Sequence, residues 1–451
     1  MSRLGEQFRS ELPAMFRLAW PLILAELGWM TMGVVDVMMV GRVSKDAIAG
    51  VSMGSIIFYT VGIFGTGLLL GLDTLVSQAF GAGDVDDCHR SLVHGIYISL
   101  AVTPALMGVV WLCGPLLPVF KLHPDVIREA LPYMDAVNWS LPSLMLYTAL
   151  RRYLQAMDLV RPITFALLSA NLINVAANWA LIYGNAGAPA LGAAGAGWAT
   201  TISRLYMFAA LLGYVWWRDR RQHTTLRATS LRLEPARLRR LLELGLPAAL
   251  QPAVEVGVFA AAGALIGRLG TGPLAAHQIA LNCAGMTFMI PYGLGSAGAV
   301  RVGQAIGRGD IAGARRAGST ALLLGAGFMS CAAVTFWVVP GQIIRAFTTD
   351  TSIVDLAVSL LIIAAFFQLF DGLQAVATGN LRGAGDTRTA TLCHFAGYWI
   401  VGLPLGWYLC FSRGWGAAGV WTGLCVALIL IGIVLLVAWS RAVRALVPVA
   451  A

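Results

Sequence analysis

Apolar runs long enough to cross a bilayer recur along this chain at 15–40, 52–80, 92–117, 132–150, 163–184, 191–217, 240–267, 276–300, 317–340, 355–381, 389–411 and 415–440. Lipid offers the backbone no hydrogen-bond partner, so a segment inside it must be a helix or belong to a closed barrel. A barrel needs segments of about ten residues that alternate apolar and polar, and the runs are instead about the length of a spanning helix. The expected fold is therefore an all-α integral membrane protein with twelve transmembrane helices. Composition agrees: 58% of residues are hydrophobic and 12% charged, too few charges for a soluble surface. The 51 glycines suit helices that pack closely through small residues. The first run continues past signal-peptide length without a small-residue cleavage site, so it is expected to be retained.

The basic residues fix an orientation. Of the 31 Lys and Arg, 23 fall at the two ends and in the even-numbered loops and 7 in the odd loops, with Arg204 inside a run. The positive-inside rule then places both termini and the Arg-rich linker 218–239 in the cytoplasm, with anionic lipid headgroups as neighbours. The charge is spread by topology rather than gathered on a soluble face, which argues against nucleic acid as a partner.

The chain is also written twice. A shift of 226 residues lays Pro21 on Pro247, Gly41 and Arg42 on Gly267 and Arg268, and SQAFGAGD (77–84) on GQAIGRGD (303–310). Later, LQAMD (154–158) resembles LRGAGD (381–386), and LGAAGAG (191–197) resembles WGAAGVW (415–421). The domains expected are an amino-terminal six-helix lobe at 1–217, the linker 218–239, and a carboxyl-terminal six-helix lobe at 240–451. Six is even, so the two homologous bundles share an orientation and are related by a pseudo-two-fold axis along the membrane normal. Parallel repeats of this kind are a transporter architecture, with the site near the midplane.

Three carboxylates interrupt the apolar runs: Asp36 in the outer half of the first, Glu255 near the middle of the seventh, and Asp371 about sixteen residues into the tenth. A charge in the membrane interior is costly, so its presence points to function. Such acids can hold a proton, a metal ion or an organic cation, and they would repel anions. No Lys or Arg is expected at their depth except Arg204. The fifth run carries Asn171, Asn174 and Asn178 at spacings of three and four, on one face. That stripe suits either cation binding or hydrogen bonding between helices, and His277, Gln278 and Asn282 near the start of the eighth run pose the same choice. Pro21, fifteen residues before Asp36, would let the first helix bend where a backbone bond is missing, which makes it the expected hinge. Neither the seven scattered cysteines nor the six histidines show metal-ligand spacing. GAGD at 383–386 is similar to the GxGD of intramembrane aspartyl proteases, yet GAGD (81–84) and GRGD (307–310) stand at comparable loop ends, where helix termination accounts for them.

Taken together, WPLIL (20–24), VVDVMMVGR (34–42), AAHQIALN (275–282), GQAIGRGD (303–310) and FDGLQAVATGNLRGAGDT (370–387) resemble the multidrug and toxic compound extrusion (MATE) transporters, in their NorM-like bacterial branch. The resemblance covers nearly the whole chain. It implies a monomeric antiporter of the bacterial inner membrane that exports organic cations and hydrophobic drugs against inward H⁺ or Na⁺, with no cofactor beyond that ion and no enzymatic activity. It further implies that Asp36 with Asn174 and Asn178 forms the cation site of one lobe, that Glu255 and Asp371 are the acids of the other, and that the three acids are candidate Na⁺ ligands. Gln278 is counted with the candidate binding residues. Some relatives have Asp where Asn178 stands and Tyr where Phe367 stands, which leaves H⁺ and Na⁺ both open. A lipid-linked oligosaccharide flippase of a related branch is the alternative, and it would need basic residues where this chain has acids. An intramembrane enzyme is the other.

Overall fold

The protein is described by a computed structural model covering residues 3–120, 123–222, 226 and 229–446. Residues 223–225, 227 and 228 of the expected linker and the extreme termini lie outside these. Among the described residues sixteen α-helices follow one another: α1 (Arg3–Val40), α2 (Lys45–Leu68), α3 (Gly71–Gly81), α4 (Val85–Cys113), α5 (Pro124–Asn138), α6 (Leu141–Ala156), α7 (Val160–Tyr183), α8 (Ala193–Gln222), α9 (Pro235–Gly267), α10 (Thr271–Gly307), α11 (Ile311–Val338), α12 (Pro340–Arg345), α13 (Thr351–Gly383), α14 (Arg388–Phe395), α15 (Leu403–Trp407) and α16 (Gly416–Ala445). Among the described residues there is no strand. Two stretches beside α15, Ala396–Gly402 and Tyr408–Ser412, are wound as π-helix, a form that recurs at functional sites.

Each of the twelve apolar runs is helical, so the protein is an all-α, multi-pass membrane protein. Nine helical stretches among the described residues are long and apolar enough to cross a membrane on length and composition. The rest of the expected twelve are interrupted or more polar. The fourth run breaks between α5 and α6 at Trp139 and Ser140; α8 carries Arg204 and ends in Arg218, Asp219, Arg220 and Arg221; α10 carries His277, Gln278 and Asn282.

The corners are built alike. Gly83, Gly309 and Gly385 each adopt a positive φ, which a residue without Cβ takes at no steric cost. The Asp after each then accepts a backbone N–H of the next turn: Asp84 from Asp87 at 2.8 Å, Asp310 from Gly313 at 2.7 Å, and Asp386 from Thr389 at 3.0 Å. A helix stop followed by a cap explains why the tetrapeptide recurs. It also gives Asp386 a capping role rather than that of a protease acid.

The chain packs into two compact units, Leu24–Ala249 and Met1–Ile23 with Leu250–Ala451. The boundaries thus fall inside α1 and α9, not at the linker. In the unit Leu24–Ala249, α2 packs on α5, α5 on α8, α7 on α8 and α4 on α6, around a core that includes Leu72, Met145, Tyr147 and Leu150. In the other unit α13 is central, packed against α10, α11 and α16. Both units use one crossing, repeated at the 226-residue offset. Gly67 of α2 lies against the backbone of Ala249 on α9, and Gly293 of α10 against Ile23 on α1, each so close that a Cβ would collide. Each crossing is flanked by an ion pair. Arg301 of α10 donates twice to Glu11 of α1, at 2.8 and 2.6 Å, and Arg237 of α9 reaches Asp87 of α4 at 2.6 Å.

Candidate functional site

In the unit Leu24–Ala249, α1, α7 and α8 meet at Asp36, which is 5% exposed. The three- and four-residue spacing on α7 aims two amides at it. Oδ1 accepts from Asn174 at 3.1 Å and from Asn178 at 2.6 Å, and Oδ2 accepts from the Thr200 hydroxyl of α8 at 2.7 Å. Asn178 also donates to Asn174 at 3.1 Å, so the two amides hold each other in place. Asn171, the third member of the stripe, turns instead to the Leu167 carbonyl. One turn beyond Thr200 on α8, buried Arg204 lies near enough to act on Asp36 electrostatically. Its guanidinium donates to Ser140 at 2.6 Å and stands over the rings of Phe58 and Trp29 at 4.5 and 5.4 Å, a desolvated cation held by π-faces.

The same unit holds charges that the sequence reading left out. Glu26, ten residues before Asp36 on α1, is ion-paired with Arg151 of α6, and Asp73 of α3 pairs with Arg152 at 3.3 Å. Arg151 and Arg152 were expected in a loop. In fact α6 runs on to Ala156 and buries both. Buried charges of this kind require close partners, and each acid here has an arginine.

In the other unit Glu255 stands on α9 and Asp371 on α13. Gln251, one turn before Glu255, donates to it at 3.3 Å, and Gln374 donates to Asp371 at 3.2 Å. Tyr398, in the first π-helical stretch, stands next to Glu255 and packs its ring against Phe259 of α9 and His394 of α14. No Lys or Arg hydrogen-bonds Asp36, Glu255 or Asp371 among the described residues.

Gln278 does not join them. It is exposed on α10, and no described hydrogen bond links it to either acid. Its buried neighbour His277 instead accepts the Trp421 indole N–H at 3.0 Å. Pro21 lies within the continuous helix α1, close to the boundary between Ile23 and Leu24 at which the chain changes units. Thr200, Gln251, Gln374, His394 and Glu26 were not singled out from sequence. Among the described residues no three His, Cys, Asp or Glu side chains cluster as a metal site would require.

Two bundles of membrane helices, each holding a buried carboxylate whose described hydrogen bonds come from neutral donors, are the architecture of a membrane transporter. The chain matches the MatE family over residues 21–180 and again over 247–408, one match in each half, and it belongs to that family of transporters. It is 35% identical to the "Probable multidrug resistance protein NorM" of Mesorhizobium japonicum, over 98% of this chain and 96% of that one. It is 34% identical to the "Multidrug resistance protein PmpM" of Pseudomonas aeruginosa, over 98% and 93% of the two chains. Among solved structures, the eukaryotic MATE transporter AtDTX14 superposes with a TM-score of 0.87 at 22% identity, covering 98% of this chain and 99% of that one, a likeness of fold.

Proposed function

We propose that the chain is a cation-coupled multidrug antiporter that exports organic cations and hydrophobic drugs across the bacterial inner membrane. The relatives' printed names support the drug class. The observation that carries the coupling is that Asp36, Glu255 and Asp371, in membrane-length helices, take hydrogen bonds from Asn, Gln and Thr side chains and, among the described residues, none from Lys or Arg. A carboxylate held in this way remains able to bind a proton or Na⁺, which an arginine salt bridge would exclude. Asp36, Asn174 and Asn178 form one cation site, with Thr200 added, and Glu255 and Asp371 form the other. Pro21 acts as the hinge of α1. The chain works as a monomer, with both termini on the cytoplasmic side and anionic headgroups around its basic loops.

Efflux of a fluorescent drug from proteoliposomes, under separately imposed pH and Na⁺ gradients, tests the reading. An inward gradient of one of the two ions should accelerate efflux, and the absence of acceleration by either would refute the coupling.

A further inference from the structure

Glu255 and Asp371 sit on different helices, and among the described residues no hydrogen bond joins them directly. A third helix does. α14 carries His394, fully buried, with both ring nitrogens committed. Nδ1 stands 2.7 Å from the Ala390 carbonyl one turn back. A carbonyl oxygen accepts and never donates, so Nδ1 carries the hydrogen. Nε2 stands 2.6 Å from Gln374 Oε1 and 3.4 Å from Gln251 Nε2. Each glutamine also turns its amide nitrogen to a carboxylate, Gln374 to Asp371 and Gln251 to Glu255. One ring atom therefore ties α9, α13 and α14 together, in the order Glu255, Gln251, His394, Gln374, Asp371.

That atom serves one glutamine at a time. Bare, Nε2 accepts from the Gln251 amide and meets the Gln374 oxygen lone pair to lone pair. Protonated to the imidazolium, with the Nδ1 hydrogen kept, the ring donates from Nε2 to Gln374 and has no lone pair left for Gln251. The side chains against His394 are Gln251 of α9, Gln374 of α13 and Tyr398 in the π-helical stretch, and the acids Glu255 and Asp371 stand one hydrogen bond further out, beyond the two glutamines. α16, which also packs on α14, has no titratable Asp, Glu, Lys, Arg or His before Arg441.

We infer that His394 is a positioning residue that couples Glu255 to Asp371 through Gln251 and Gln374, holding one glutamine firm against its carboxylate while it releases the other. The inference rests on the reading that these two acids bind the coupling cation. It adds that they answer to each other, so that filling one changes the hold on the second. Buried polar chains of this kind transmit more than their separate bonds suggest, and double-mutant cycles apportion them.

The test uses the full chain in detergent. Glu255→Gln, Asp371→Asn and their combination are made in two backgrounds, wild type and His394→Phe. Two quantities are read: the Kd for the organic cation ethidium, and the unfolding midpoint with no ligand added. In the wild-type background the combined variant should depart from the sum of the single ones by about fivefold in Kd, with non-additive midpoints as well. In the His394→Phe background both cycles should become additive, within roughly twofold. Equal non-additivity in the two backgrounds overturns the inference. Should His394→Phe fail to fold, Gln251→Leu breaks the same chain with the ring left in place and is read identically. Failure of wild-type protein to bind ethidium would count against the export reading, while the unfolding cycle still decides the coupling.

Discussion

Replacing Arg151 by Met would leave the carboxylate of Glu26 buried and alone. The two side chains are 9% and 12% exposed, so water cannot replace the lost partner. Breaking a buried pair from one side costs about 3 to 5 kcal/mol. The unit affected spans Leu24–Ala249, a size at which each kcal/mol moves the melting midpoint by roughly 2 to 4 °C. Arg151→Met should therefore lower the midpoint by roughly 6 to 20 °C. Removing both charges in Glu26→Leu/Arg151→Met eliminates the unpaired ion, and that variant should melt within a few degrees of wild type or above it. The 14 tryptophans give an intrinsic fluorescence signal for thermal unfolding in detergent. If Arg151→Met melted with wild type, or if the double variant melted as low as the single one, the pair would not be holding α1 to α6.

Glu255→Gln and Asp371→Asn keep shape while removing charge, and each should abolish gradient-driven efflux at wild-type expression; normal drug resistance in cells carrying either would remove that acid from the mechanism. Asp36→Asn should weaken the dependence of drug affinity on pH and Na⁺. Thr200→Val, which deletes the donor on Oδ2 but leaves two amides on Oδ1, should weaken it less, so the reverse order in a binding titration would contradict the geometry. Gln278→Ala should leave efflux within about twofold of wild type, as expected of an exposed side chain away from special contacts, and a loss of about tenfold would return Gln278 to the site.

Helical spacing made one part of the site legible in the sequence: Asn174 and Asn178 had to share a face of α7. Their pairing with Asp36 was implied by the resemblance to the MATE family, and both amides do donate to its Oδ1. Thr200 could not be read in advance, since a lone Thr in a helix is ordinary and its bond to Asp36 spans 164 residues. Gln278 is exposed although His277 beside it is buried, because adjacent positions on a helix point about 100° apart. Arg151 and Arg152 were hidden because an apolar run ends at its first charges, whereas α6 continues through them. The break between α2 and α3 leaves no mark in hydropathy, because Leu69 and Leu70 are as apolar as their surroundings. His394 had no ligand spacing to draw attention to it; its role comes from two glutamines on other helices.

The matched crossings, α1 with α10 and α9 with α2, bear on the order in which the molecule is made. Positions 11 and 237 correspond at the 226-residue offset but carry opposite charges, Glu11 for Arg301 and Arg237 for Asp87. Arg237 emerges from the ribosome after Asp87 has been made, so that pairing can close at once. Glu11 must wait for a partner 290 residues later. Glu11 is thus seated late, and its charge is the wrong one for the acidic anchor at Asp87 that appears in the meantime. Like charge at Glu11 and Asp87 therefore opposes docking α1 where α9 belongs, an early closure that would leave Arg301 without its acid when α10 arrives.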